Sequence, residues 1–87
     1  MKPIFIDVRE PFEFASGHVK GALNIPPAEL MSGTSKLDSV PKDAPLVVYC
    51  VSGSRSNVSM NFLRQMGFTN LTNGINKQQV NAKYKLS

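Results

Sequence analysis

The sequence holds one cysteine, one histidine and no tryptophan, and no Asp or Glu occurs from Ala44 to Ser87. A single cysteine excludes an intramolecular disulfide. With only His18 to join it, a thiolate–imidazole metal site lacks ligands, so neither a metal nor any other cofactor is expected. No apolar run approaches the ~20 residues of a membrane-crossing helix, so no membrane partner is expected either. The opening Met1-Lys2-Pro3-Ile4-Phe5-Ile6-Asp7 is too soon interrupted by polar residues to be a signal peptide. A chain whose signal had been cleaved would read the same, so the compartment stays open, with the cytoplasm slightly favoured over the periplasm. There is no internal repeat and no linker, and 87 residues suit one domain over 1–87. A monomer is the default for a chain of this size without an obvious apolar patch.

The net charge of +4 conceals an asymmetry. All six acids lie in residues 1–43, whereas the second half carries only Arg55, Arg64, Lys77, Lys83 and Lys85. A purely basic half containing Cys50 favours small anionic ligands. Nucleic acid is the other partner such a surface suits, but these charges are scattered and no recognition motif accompanies them, so none is expected.

Pro3 to Val8 reads as a short buried strand, being a continuous apolar run closed by polar residues. Glu10 to Gly17 reads as a short helix with Pro11 in its first turn and Gly17 just past its end. Ala22–Ile25 is a second brief strand stopped by Pro26-Pro27, and Pro27–Met31 one helical turn. Residues 32–45, rich in Ser, Gly, Pro and Lys, read as loop. Leu46–Tyr49 is the clearest strand and ends at Cys50. Arg55–Met66 reads as a helix with Val58, Phe62 and Met66 on one stripe, widened by Leu63 and terminated by Gly67. Leu71-Thr72 is a brief strand and Ile75–Tyr84 a weak terminal helix. Alternating strands and helices predict an α/β domain, a small, mainly parallel sheet flanked by short helices. Its reactive crevice lies beyond the strands' carboxyl ends, where Asp7 and Cys50 both fall.

The segment Cys50-Val51-Ser52-Gly53-Ser54-Arg55-Ser56 is the most informative. A thiol with its ordinary pKa near ~8.5 is a weak nucleophile until it ionises. A strand-to-helix loop gathers backbone N–H groups and adds the positive end of the helix dipole. The small residues Val51, Ser52, Gly53, Ser54 and Ser56 let those amides converge, and Arg55 adds a permanent positive charge. Together they predict a thiolate held at neutral pH in a cradle that also binds oxyanions. The contrary reading, an inert buried cysteine packing as a small hydrophobe, is disfavoured by the polar loop that follows. His18 reads as a hydrogen-bonding turn residue rather than a base for Cys50. Asp7 and Arg9 read first as a charge network steadying the sheet edge, with support of the Cys50 loop as the alternative.

With these residues in hand, the chain resembles the single-domain rhodanese (thiosulfate sulfurtransferase) family, among its shortest members. The resemblance is carried by Ile6-Asp7-Val8-Arg9-Glu10, by Phe14 before Gly17-His18-Val19-Lys20-Gly21-Ala22-Leu23-Asn24-Ile25-Pro26, and by Val47 to Ser56. Phe62-Leu63 and Met66-Gly67-Phe68 complete it. It implies a rhodanese-like fold in which Cys50 takes sulfane sulfur from thiosulfate or a related donor and passes it, as a persulfide, to cyanide or a thiol. A protein acceptor would serve equally. The family's usual paired glycines and tryptophan near the end are reduced here to Asn73-Gly74-Ile75-Asn76 with no Trp.

Cysteine phosphatases share a strand–loop–helix cradle with Cys and Arg, but their pattern is one residue longer than the four residues between Cys50 and Arg55. The shorter loop suits a single sulfur better than a tetrahedral phosphate. A non-catalytic rhodanese-like binding module is the alternative of a different class, since fold alone does not establish function. A redox sensor is the third, and its resolving thiol would have to come from another molecule.

Overall fold

A computed structural model describes residues 2–85. Four strands, β1 (Ile4–Asp7), β2 (Leu23–Asn24), β3 (Leu46–Cys50) and β4 (Leu71–Asn76), alternate with helices α1 (Pro11–Ala15), α2 (Pro27–Ser32), α3 (Ser54–Gln65) and α4 (Lys77–Tyr84). The strands form one sheet in the order β2-β1-β3-β4, and every pair is parallel. This is the expected α/β architecture.

Successive side chains of a strand point to opposite faces, and β3 is buried along its whole length because both faces are covered. Leu46, Val48 and Cys50 join Ile6, Val8, Leu30, Met60, Leu63 and Phe68 in the core shared with α2 and α3. Val47 and Tyr49 join Val19 and Val80 in a smaller core beneath α4, where Phe5 meets Tyr84 edge-on at 5.2 Å. Cys50 therefore ends the central strand on the α3 side.

Local chemistry accounts for the element ends. Pro11 and Pro27 each open a helix at a position whose N–H would have no partner. Glu10 and Glu13 close a capping box on α1. α3 ends in a Schellman motif: Phe68 N–H donates to Leu63 O and Gly67 N–H to Arg64 O, both at 3.0–3.1 Å, while buried Phe68 packs in the core with Leu63.

Two expectations are corrected. The buried face of α3 is formed by Ser56, Ser59, Met60 and Leu63, while Val58 is 49 % exposed. Small serines, invisible to a hydrophobic pattern, let the start of the helix approach β3. β4 also runs well past Thr72, with a register shift between Val48 and Tyr49 that leaves Gly74 unpaired and gives Ile75 a φ of 74°. A Cβ on Gly74 would stand 2.5 Å from Val80 Cγ2 and 3.0 Å from Val47 Cγ1. The lone glycine is what lets α4 close on the sheet. The strand extension also delays α4 to Lys77, with the Asn76 side chain capping it by accepting from Gln79 N–H at 2.8 Å.

Candidate active site

Cys50 is the last residue of β3, and α3 begins four residues later, so its thiol stands at the foot of that helix. The first amides of a helix have no partner within it. Here the sulfur takes that place: Gly53 N–H points to Sγ at 3.1 Å and Ser56 N–H at 3.4 Å. Gly53 adopts φ 95°, a left-handed conformation that side chains resist, and that twist turns its N–H back toward the thiol.

Burial pushes the Cys50 thiol up. Hydrogen bonds from the Ser56 hydroxyl and from the backbone of Ser56, Gly53 and Ser52 outweigh it and bring the pKa down to about 7. Among these donors the amides are the dependable ones. Ser56 Oγ carries one hydrogen, and Asn73 Oδ1 at 2.7 Å and Gly53 O at 3.0 Å compete for it against a sulfur at 3.6 Å. Asn73 is itself fixed: its Oδ1 accepts from Ile75 N–H at 2.9 Å and its Nδ2 donates to Gly53 O at 3.1 Å. The bulged strand β4 thus ties down the loop that surrounds the thiol.

A cavity of about 220 Å³ opens beside Cys50, lined by Arg9, Cys50, Val51, Asn76, Lys77 and Gln78. That volume is several times the ~30 Å³ share of one water, so a small anion fits. A larger cavity of about 270 Å³ lies between β4 and α4 and does not reach Cys50.

The other residues singled out in the sequence fall in four places. Ser52 and Ser54 face each other across the outside of the loop, Oγ to Oγ 3.3 Å. Arg55 reaches α1, where Nη1 and Nη2 donate to the two oxygens of Glu13 at 2.7 and 3.1 Å. That pairing, led by the Arg55 hydrogen bond, holds the Glu13 carboxyl down at about 2. Asp7 is fully buried on the Tyr49 face of the sheet. It accepts from Arg9 N, Nε and Nη2 at 2.6–3.1 Å and from Tyr49 Oη at 2.8 Å. Tyr49 Oη in turn accepts from Val19 N–H at 3.0 Å, and Arg9 Nη2 also donates to Gly17 O at 2.7 Å. This is the charge network at the sheet edge, and through Arg9 it also walls the cavity. His18 is exposed, stacked on Phe14 at 3.7 Å with Nδ1 at 2.9 Å from Phe14 O.

Sequence reasoning passed over Glu13, Tyr49, Asn73, Lys77 and Gln78. Of these, Asn73 and Lys77 stood in segments the sequence had marked, the single-glycine stretch and the basic half, but neither was singled out for the site. Among the described residues no three His, Cys, Asp or Glu side chains group as metal ligands. No helix there is long and apolar enough to cross a membrane.

Here a cysteine sulfur caps a helix beneath a small-residue loop, at the carboxyl edge of a parallel sheet. The model of the rhodanese-like domain matches residues 1–79. The chain belongs to the rhodanese-like family. It is 37% identical over 70 residues to thiosulfate sulfurtransferase PspE of Escherichia coli, covering 79% of this chain and 65% of that protein. It is 39% identical over 72 residues to the uncharacterized protein YqhL of Bacillus subtilis, covering 83% and 55%. The chain thus spans a little over half to about two thirds of these relatives' length. Among solved structures, a rhodanese with anions from E. coli superposes with a TM-score of 0.78 at 32% identity, covering 90% of this chain and 91% of that one. Membership of the rhodanese-like family and its α/β architecture are therefore established together.

Proposed function

We propose that this rhodanese-like chain is a thiosulfate sulfurtransferase-type enzyme working through a Cys50 persulfide. The observation that carries the reading is the Cys50 sulfur itself, which faces the Gly53 and Ser56 amides at 3.1 and 3.4 Å and borders a cavity. The Cys50 thiolate attacks the outer sulfur of thiosulfate, a carbon-free S–S bond breaks, and sulfite leaves with the electron pair. Negative charge is conserved: the thiolate and dianion become a persulfide anion and a dianion. The terminal sulfur of the persulfide then lies where the amide cradle and the positive end of α3 stabilise it. Attack on that sulfur by cyanide or a thiolate acceptor, small or on a protein, returns Cys50 as thiolate.

Val51, Ser52, Gly53, Ser54 and Ser56 are assigned to the cradle. Arg55 is assigned to drawing in the anionic donor, a role it shares with its bond to Glu13. Asp7 and Arg9 are assigned a supporting role, fixing the floor of the cavity.

The test is thiocyanate formation from thiosulfate and cyanide, with intact mass after thiosulfate alone. A gain of about one sulfur atom and turnover that vanishes in Cys50→Ser are expected. A folded protein that takes no sulfur from thiosulfate, polysulfide or glutathione persulfide would leave the non-catalytic binding module in its place.

A further inference from the structure

Two cations, Arg9 and Lys77, line the Cys50 cavity and a third, Arg55, belongs to the loop beside it, and their commitments differ. The Arg9 guanidinium is held by Asp7 and Gly17 O. Both terminal nitrogens of Arg55 rest on Glu13. Lys77, the first residue of α4, lines the cavity with Cys50. Among the described residues the ion pairs are Arg9–Asp7, Lys36–Glu29 and Arg55–Glu13, none of which includes Lys77.

Its ammonium is not simply extended into solvent. Lys77 Nζ lies 3.1 Å from where a Cβ of Gly17 would stand, so it folds back over the turn to which Arg9 is bonded. The missing side chain at Gly17 gives it that seat, and the residue is half-buried. The positive end of the α4 dipole adds to the potential there, although Asn76 Oδ1 caps the Gln79 amide.

Displacement at sulfur proceeds with nucleophile and leaving group at opposite ends of the bond being exchanged. Cys50 approaches from the cradle, so the departing anionic group of the donor must point outward, into the cavity. We propose that Lys77 is the residue that binds this distal anionic group, making the site selective for donors that carry negative charge beyond the transferable sulfur. Resting on the sulfur-transfer reading, it narrows the donor to a class: thiosulfate and like anions over uncharged organic polysulfides.

The test uses two alkylating agents that differ by a carboxylate. At one pH, Cys50 is alkylated by iodoacetate and by iodoacetamide, and the ratio of rates is taken, in which the thiolate fraction cancels. Lys77→Gln lowers the ratio about fivefold, the order expected of one partly exposed charge pair, and lowers kcat/KM for thiosulfate by a similar factor. Lys77→Arg restores both, while Arg64→Gln, which removes a charge at the far end of α3, leaves the ratio as in wild type. A Lys77→Gln ratio within twofold of wild type overturns the proposal, as does a Lys77→Arg variant that falls with it. Alkylation requires no sulfur transfer, so a wild type that fails to turn over thiosulfate defeats the enzymatic reading separately from the charge at Lys77.

Discussion

Tyr49 and Cys50 are consecutive residues of one strand, yet the networks built on them have opposite characters. Tyr49 is bound into full charges: Asp7 accepts from Arg9 and from the Tyr49 hydroxyl, and every group has a fixed partner. Burial, reinforced by the Asp7 carboxylate, raises the Tyr49 pKa far above its ordinary value, so its hydroxyl keeps its proton at ordinary pH. Cys50 faces neutral amides instead, titrates at about 7 and borders an open cavity. Strand alternation sends the two side chains to opposite faces of the sheet. Fixed charges in a closed network give rigidity, while uncharged dipoles around an ionisable atom give a group that can change its charge state.

The sharpest way to break this contrast is to remove one member of each network. Asp7→Ala leaves Arg9 buried without its carboxylate and should cost about 3–5 kcal/mol. For a domain of this size that is a fall of at least ~12 °C in Tm. Cys50→Ser should abolish sulfur transfer while costing less than about 1 kcal/mol. Thermal unfolding followed by circular dichroism decides it. Comparable losses in the two variants would mean that the cradle, too, holds the fold together.

A second prediction concerns the thiol's own titration. The rate of Cys50 alkylation by iodoacetamide should rise with a midpoint near 7, below the ~8.5 of an unperturbed thiol. Because the folded pKa is depressed, the associated stability is fully present above the unfolded thiol's pKa and is lost as pH falls through about 7. Urea unfolding across pH 6 to 9 should show that slope in wild type and lose it in Cys50→Ser. Ser56→Ala sharpens the assignment. With the Ser56 hydroxyl hydrogen engaged by Asn73 Oδ1 at 2.7 Å, its removal should move the midpoint by less than about half a pH unit. A rise of a full unit or more would show the hydroxyl, not the amides, to be the principal donor.

What the sequence disclosed and what it concealed divide along similar physical lines. β3 was legible because a strand covered on both faces must be apolar throughout, and Cys50 because a polar small-residue loop after such a strand has no packing purpose. The proline-led starts of α1 and α2 and the glycine-terminated end of α3 follow from backbone chemistry local to each. The buried face of α3 was legible only in part: Leu63, Phe62 and Met66 do meet the core, whereas Val58 is exposed and Ser56, Ser59 and Met60 take its place. Its first two turns must present Ser56 to a sulfur and Ser59 to the sheet, and polar residues in such places defeat a count of apolar positions. The length of β4 was hidden for another reason. Its bulge is a feature of the pairing with β3, where Asn73 meets Val48 and Ile75 meets Tyr49, a register between distant segments that no short window of sequence contains. Likewise Arg55 reads as a free cation until α1 brings Glu13 to it, 42 residues away along the chain.

Ser59 supplies the smallest and most discriminating test, because it belongs to neither network. It is fully buried on the inner face of α3, and its hydroxyl has no hydrogen-bond partner among the described residues. A buried hydroxyl left without a partner costs about 1–3 kcal/mol of desolvation. Alanine removes that cost, is the better helix former, and preserves the small size that lets α3 approach β3. Ser59→Ala should therefore raise stability by about 1 kcal/mol, read as an increase in the urea midpoint at unchanged slope. The alkylation midpoint of Cys50 should stay where it is. A loss of stability would show that the hydroxyl is satisfied after all, by a buried water or by the carbonyl one turn earlier. A shifted thiol midpoint would show that the cradle extends one turn further along α3 than Ser56, and the boundary between rigid network and reactive loop would have to be redrawn there.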